Sequence, residues 1–326
     1  MDTLLNGLRA AGERTRLRLL AILARNELTV SELTQILDQS QPRVSRHLRL
    51  LCEARLLDRI REGTWVFYRL ADRGAGAHLA RGLVELIPGA DLEIERDIRR
   101  LETVRAARAE AAATYFRENA AKWDRIRSLY VAESDVERAM LKALSDDTVE
   151  DLLDLGTGTG RILQVFAAKT KRGLGIDLSR EMLAVARANL EGANLQHCQV
   201  RHGDIYNLSA PTGSMDVVTI HHVLHFLDDP GAAIAEAVRT LRPGGRLLIA
   251  DFAPHSLEFL RTDYSHRRLG FADNEVITWC QTAGLVNTDV RHLKVTGKRD
   301  KEKLTVSLWI GTQHKNAPNH RSLEVA

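Results

Sequence analysis

The segment Asp154-Leu-Gly-Thr-Gly-Thr-Gly160 follows a short apolar run, EDLLDL, and constrains the fold more than any other stretch of the chain. Three glycines at alternate positions let the backbone turn tightly and let a ligand approach closely. Around it, short apolar runs (EDLLDL, GLGID, QHCQVRHGD, MDVVTI and GRLLIAD) alternate with helical stretches or loops. Such β–α alternation predicts a doubly wound parallel sheet, which binds ligands at the carboxyl ends of its strands. Arg161 follows Gly160, so the spacing is G-x-G-x-G. The G-x-G-x-x-G that sets a pyrophosphate on a helix N-terminus is therefore missing. Asp177 ends the second run about 20 residues on, the spacing of a carboxylate that grips ribose hydroxyls. Asp204 ends the third, where it can accept from an adenine amino group. Together these elements describe a nucleoside site that needs no phosphate contacts.

The first ninety residues read differently. Apolar positions give one helical face through residues 8–25. Thr29-Val-Ser-Glu32 is a capping box, in which the Thr hydroxyl and Glu carboxylate satisfy each other's backbone N–H groups. Leu33, Ile36 and Leu37 form the buried stripe of the helix it starts. After a polar turn, Pro42 opens another helix in which Val44, Leu48 and Leu51 face inward. Gln41, Ser45, Arg46 and Arg49 then face outward together, the pattern of a helix-turn-helix. Two strand-like runs, Leu57–Arg61 and Thr64–Leu70, flank Glu62-Gly63 and predict a hairpin, with Arg59 and Arg61 placed to reach phosphates.

Composition sets the limits. At 326 residues the chain suits two domains better than one. With 44% hydrophobic and 27% charged residues it can bury sizeable cores. Its apolar runs are far short of the roughly 20 residues a membrane span needs. No basic segment precedes an apolar run at the N-terminus, so no secretory leader is read. Cys52, Cys198 and Cys280 form no CxxC and fit a reducing cytoplasm. Residues 1–100 hold 17 Arg and no Lys, an excess that hints at phosphate contact. Residues 91–128, rich in Ala, Glu and Arg without Gly or Pro, predict a helical connector rather than a flexible linker. Tyr115, Phe116 and Trp123 interrupt its polar pattern.

From Glu27-LTVSEL through Gln41-PRVSRHLRLL to Trp65-VFYRL, the chain resembles the winged-helix domain of the ArsR family of bacterial repressors, over roughly residues 5–88. The resemblance implies a homodimer, built in part on the helix around His78–Ile87, that binds an inverted repeat of operator DNA. Gln41, Arg43, Ser45 and Arg46 become the expected base readers, with Arg49 and Arg61 beside them. Thr29 and Ser31 stand where metal-sensing members carry a Cys-x-Cys pair, and hydroxyls cannot replace thiolates as soft-metal ligands. No metal site is expected. Arg55 stands where the family tends to have Gly, and left-handed backbone there would cost about 1–2 kcal/mol.

Residues 110–312 resemble the class I S-adenosylmethionine-dependent methyltransferase fold, including Leu241-RPGGRLLIAD251 and Leu304-TVSLWIGT312. The resemblance implies a Rossmann-like, seven-stranded α/β sheet whose last strand is antiparallel. It assigns Gly156, Gly158 and Gly160 to the cofactor, Asp177 with Leu178 to the ribose end, and Asp204 with Ile205 to adenine. Asp154 falls near the methionyl amine, His221 joins the cofactor site, and Trp123 and Tyr115 close over it. Ile220-His-His-Val-Leu-His225 lacks the [DN]-P-P-[YF] of amino-directed DNA methyltransferases. Its histidines suit a base or a metal, though related small-molecule enzymes carry a similar turn without metal. His266, Arg267 and Arg268 are a basic cluster that either holds an acidic acceptor or faces solvent.

The expected organisation is thus α/β with an N-terminal α+β winged helix: DNA binding and dimerisation in 1–90, a helical connector and lid in 91–128, a methyltransferase domain in 129–312, and a polar tail in 313–326. Two functions fit. One is a dimeric cytoplasmic repressor whose second domain takes S-adenosylmethionine or S-adenosylhomocysteine as effector. The other is a working small-molecule methyltransferase that also controls its own operon. An enzyme using the winged helix only to dimerise would not need the outward Arg/Gln/Ser face.

Overall fold

The computed structural model describes residues 1–24, 26–62, 65–71, 74–88, 91–107, 110, 132–144, 149–264, 266–293 and 304–314. The chain divides into two units, Met1–Glu110 and Ala111–Ala326.

The first unit opens with α1 (Asp2–Ala11) and α2 (Arg14–Leu23). The single helical face expected over 8–25 is split between them. Gly12 ends α1, and the Glu13 carboxylate caps α2 by accepting the Arg16 N–H. After β1 (Leu28–Thr29), the capping box forms as expected at the head of α3 (Val30–Leu37). Glu32 accepts the Thr29 N–H at 2.7 Å, and the Thr29 hydroxyl accepts the Glu32 N–H at 3.3 Å. Helix α4 (Gln41–Glu53) follows, with Val44, Leu48 and Leu51 buried. Strands β2 (Leu57–Glu62) and β3 (Trp65–Leu70) pair antiparallel from Leu57–Leu70 to Glu62–Trp65, and β1 joins the far side of β3. Gly63 of the expected Glu62-Gly63 tip and Thr64, expected to open the second strand, lie outside the described residues, and Glu62 ends β2. Arg55 is left-handed (φ +57°), as expected if it occupies a position suited to Gly.

Helix α5 (Gly74–Glu85) is followed by α6 over 92–107. The first half of the expected connector therefore folds inside the first unit. Leu101 and Val104 are buried in the same core as Leu19, Leu33 and Leu48. Arg18 on α2 donates from Nε and Nη2 to the two carboxylate oxygens of Asp97 on α6, each at 2.7 Å, and Nη2 also reaches the Leu37 carbonyl. Arg100 bonds the Ile36 carbonyl and Asp38, while Arg105 bonds Asn26. Tyr115, Phe116 and Trp123 lie outside the described residues.

The second unit holds a seven-stranded sheet among its described residues, in the order β6-β5-β4-β7-β8-β10-β9. Its strands are β4 (Val149–Leu155), β5 (Thr170–Asp177), β6 (Cys198–His202), β7 (Met215–His221), β8 (Leu241–Phe252), β9 (Leu285–Leu293) and β10 (Val306–Gln313). Strands β4 to β8 pair in parallel, and β10 runs antiparallel to both its neighbours, as the resemblance implied. Among the described residues of the unit are helices α7 (Glu133–Ala143), α8 (Arg161–Phe166), α9 (Arg180–Gly192), α10 (Pro230–Thr240), α11 (Phe259–Tyr264) and α12 (Asp273–Thr282). Two apolar cores form: Leu152, Phe166 and Leu183 belong to one, Leu153, Ile234 and Trp309 to the other. Adjacent β4 residues thus enter different cores, and every residue of the strand but Glu150 is buried, as a strand covered on both faces of a parallel sheet requires. Strand order reverses at β4, with β5 on one side and β7 on the other. That switch point places a crevice beyond the end of β4.

Candidate functional site

The glycine segment turns from the end of β4 into α8. Gly156, Gly158 and Gly160 all have positive φ (+67°, +52° and +76°), where L-residues are strained. A Cβ at Gly156 would lie 2.3 Å from the Val223 side chain, so the turn after β7 packs directly on the glycine loop. Asp177, at the end of β5, braces the loop from the other side. Its Oδ2 accepts the Gly158 N–H and its Oδ1 the Ser179 N–H, each at 2.8 Å. A carboxylate has about four acceptor sites, so lone pairs remain for ligand hydroxyls.

Loop and acid open onto a cavity of about 770 Å³. Asp154, Gly156, Gly158, Asp177, Leu178, Ile205 and His221 line it, which brings together most of the expected cofactor residues. Leu178 is 61% exposed, an apolar side chain left uncovered beside the acid. Gly160 caps α8 without lining the cavity, and its positive φ is what lets the helix start there. Asp204 is exposed and also outside the lining; its Oδ1 accepts the Tyr206 N–H at 2.9 Å. Trp123, expected over the cofactor, lies outside the described residues.

Asp154 is buried in the cavity wall. The Thr219 hydroxyl donates to its Oδ1 at 2.7 Å, while the buried Oδ2 makes no hydrogen bond among the described residues. Burial pushes the carboxyl up to about 6, against the pull of neighbouring hydroxyls and His221. An underused buried carboxylate oxygen in a cavity wall is a place for a cationic group.

The turn after β7 carries the histidines. His221 Nε2 lies 2.9 Å from Glu133 Oε1. His222 has φ +54° and packs on Phe252; burial pushes it down to about 3. His225 pairs with Asp251 at the end of β8, Nδ1 to Oδ1 at 2.8 Å, with both residues buried. Sequence reasoning missed Asp251, Glu133, Phe226 and Phe252. An acid closing the apolar run GRLLIAD was the available sign for Asp251, because parallel neighbours bring their carboxyl ends together. Glu133/His221/His222 and His222/His225/Asp251 each hold ligating atoms within 4.8 Å of one another. Arg267 pairs with Asp228 and Arg268 with Glu275, so both expected basic residues already have acidic partners.

In the first unit, Gln41, Arg43, Arg46 and Arg49 are exposed on α4 and Ser45 is half-buried. Arg49 approaches Glu53 one turn on, at 3.7 Å. Arg59 and Arg61 are exposed on β2. His47, which faces inward on α4, sits 3.6 Å from the capping Glu13, and burial lowers its pKa despite that carboxylate. Cys52 is half-buried; burial pushes its thiol up to about 11, which removes it as a thiolate ligand near neutral pH.

Comparison with known proteins divides the chain the same way. Residues 13–59 match the family model for bacterial regulatory proteins of the arsR family, and residues 153–249 match that for a methyltransferase domain. An uncharacterized 37.1 kDa protein in a Streptomyces fradiae transposon is 41% identical over 37% of this chain and 36% of its own length. The malonyl-[acyl-carrier protein] O-methyltransferase of Serratia marcescens is 33% identical over 46% of this chain and 56% of its own. The arsenite methyltransferase of Aquipseudomonas alcaligenes is 32% identical over 44% and 42%. The chain thus spans between about a third and just over half the length of these relatives. Its two units carry, in order, an arsR-family regulatory segment and a class I methyltransferase domain.

Proposed function

We propose that the protein is a DNA-binding transcriptional regulator whose methyltransferase domain takes S-adenosylmethionine or S-adenosylhomocysteine as its effector. The observation that carries this reading is one chain holding both an exposed Gln/Arg face on α4 and a preformed cavity beside a braced glycine loop. The residues present fit the cofactor. Asp177 offers free acceptor sites for ribose hydroxyls, and Ile205 and Leu178 offer apolar surface for a purine. Asp154 Oδ2 suits the methionyl ammonium. Asp204, exposed beside Ile205, is the acceptor for the adenine amino group.

On the DNA side, Gln41, Arg43, Ser45 and Arg46 read bases in the major groove, and Arg49 and Arg61 hold phosphates. A homodimer is part of this reading. Leu4, Leu5 and Leu8 on α1 are 46%, 41% and 42% exposed, an apolar stripe that a second copy would cover. Operator binding puts the protein in the cytoplasm; among the described residues no helix is long and apolar enough to cross a membrane.

The second reading, an active small-molecule methyltransferase that regulates its own operon, is favoured by the buried His225–Asp251 pair in and beside the cavity. A sensor has no need of it. When bound, the cofactor would supply an electrophilic sulfonium methyl, and much of the catalysis is then positioning. Calorimetry with S-adenosylhomocysteine and NADH tests the cofactor assignment, and selection of duplexes from a random pool tests the DNA assignment. Tighter binding of NADH, or no enriched inverted repeat, would remove the corresponding half.

A further inference from the structure

The cavity beside the glycine loop continues into a second set of side chains: His222, His225, Phe226, Phe252 and His266. His225 is paired with Asp251, which does not itself line the cavity; the two side chains are 3% and 0% exposed. Asp251 Oδ1 also accepts the Phe252 N–H at 2.7 Å. Burial opposes charge on Asp251, but the adjacent His225 and the hydrogen bonds outweigh it and hold the carboxyl below its ordinary range. An ionised carboxylate only accepts, so His225 Nδ1 is the donor in this pair and Nε2 is the ring atom left over for an acceptor molecule.

The ring cannot easily turn away. His266 stacks on it with centroids 4.1 Å apart, and Phe226 and Phe252 approach to 4.1 and 5.2 Å. Burial pushes His222 and His266 down to about 3 and also lowers His255, so the histidines around His225 stay neutral and Asp251 is the charge it faces. Phe226 is 44% exposed where it lines the cavity. Arg267 and Arg268 are spent on Asp228 and Glu275, which argues against an anionic acceptor.

We propose that His225 is a general base for methyl transfer and that the acceptor is a flat, largely apolar molecule with an acidic O–H, of the phenol class. The proposal rests on the methyltransferase reading of this site. The acceptor's O–H proton passes to His225 Nε2, and an oxygen lone pair forms the new O–CH₃ bond. The methyl carbon's bond to the sulfonium breaks, and its electron pair stays on sulfur as a thioether. Asp251 is a positioning residue: it sets the tautomer and stabilises the imidazolium. A neutral O–H nucleophile needs such a base, whereas a carboxylate acceptor arrives with its lone pair free.

The probe is 4-nitrophenol, added to full-length protein saturated with S-adenosylhomocysteine, at a pH where the free phenol is protonated and colourless. Wild type should bind it as the coloured phenolate. His225→Gln should lose the phenolate band while S-adenosylhomocysteine affinity stays within about twofold. Asp251→Asn should move the onset of the band to higher pH, a readout that supports the pair even if His225→Gln fails to fold. Methylation of a phenol that proves to be an acceptor should fall about 10²- to 10⁴-fold in His225→Gln. Colourless binding, no binding, a band that survives in His225→Gln, or a band abolished by a chelator would overturn the proposal and leave cofactor binding standing. Wild type that binds no S-adenosylhomocysteine would overturn the methyltransferase reading, and this proposal with it.

Discussion

Asp177 Oδ2 accepts the Gly158 N–H at 2.8 Å, which ties the end of one strand to the glycine loop that leaves its neighbour. One carboxylate therefore shapes the loop and, with its remaining lone pairs, faces the ligand. Asp177→Ala removes both roles at once. Charged hydrogen bonds contribute roughly 1.5–3 kcal/mol each, so S-adenosylhomocysteine affinity should fall at least about tenfold. Calorimetry measures the loss, and an unchanged far-ultraviolet circular dichroism spectrum separates it from unfolding. Affinity within a factor of about two of wild type would remove Asp177 from the site.

Asp154 makes the site sensitive to pH. Its folded carboxyl, pushed up to about 6, lies above the ordinary value of 3.8. An acid raised on folding favours the folded state fully below its unfolded value, and that contribution is lost as pH rises through the folded one. The window is thus about pH 4 to 6, worth roughly 3 kcal/mol. Asp154→Asn should flatten this part of the stability curve in urea titrations. A ligand ammonium prefers the ionised form, so cofactor affinity should rise with pH across the same window in wild type and stay level in Asp154→Asn.

The fork-to-fork pair of Arg18 and Asp97 holds α6 against α2. Removing one partner strands a buried charge, a loss of about 3–5 kcal/mol. Asp97→Ala should therefore lower the urea midpoint of the first unit's transition sharply. The double change Arg18→Met with Asp97→Leu should recover much of it. Equal stability of Asp97→Ala and wild type would mean that the pair does not fix the helix.

Several of these features could be read from the residues. The Thr29/Glu32 capping box marks its helix in four letters, because capping is local. The glycine loop and Asp177 show through for the same reason: positive φ and a carboxylate at a strand end are tied to residue type. The Gly12 break between α1 and α2 was hidden by an apolar face that continues past it. The place of α6 depends on Arg18 meeting Asp97, 79 residues away, which no spacing rule encodes. His225 and Asp251 meet only because β7 and β8 are parallel neighbours, so their pairing needs the sheet order first. Asp204 was readable as an acid at a strand end, but its exposure was not.

DNA binding should divide between two kinds of arginine. Arg46→Ala should cost about 1–3 kcal/mol and relax specificity at one position in each half-site. Arg61→Ala should weaken all sequences alike and reduce the salt dependence of binding. Fluorescence anisotropy at several salt concentrations distinguishes them, and unchanged binding in both variants would contradict the assignment of this face.

The central claim is that cofactor occupancy and operator affinity are linked. A duplex selected by the protein from a random pool is titrated with and without saturating S-adenosylmethionine or S-adenosylhomocysteine; each ligand is then titrated with and without that duplex. Coupling between sites is typically about 1–3 kcal/mol, so at least one ligand should shift operator affinity by about five- to 150-fold. Linkage requires the reverse titration to return the same factor. Operator affinity unmoved within about twofold by either ligand, with methyl transfer to an acceptor observed, would contradict the regulator reading and leave the enzyme.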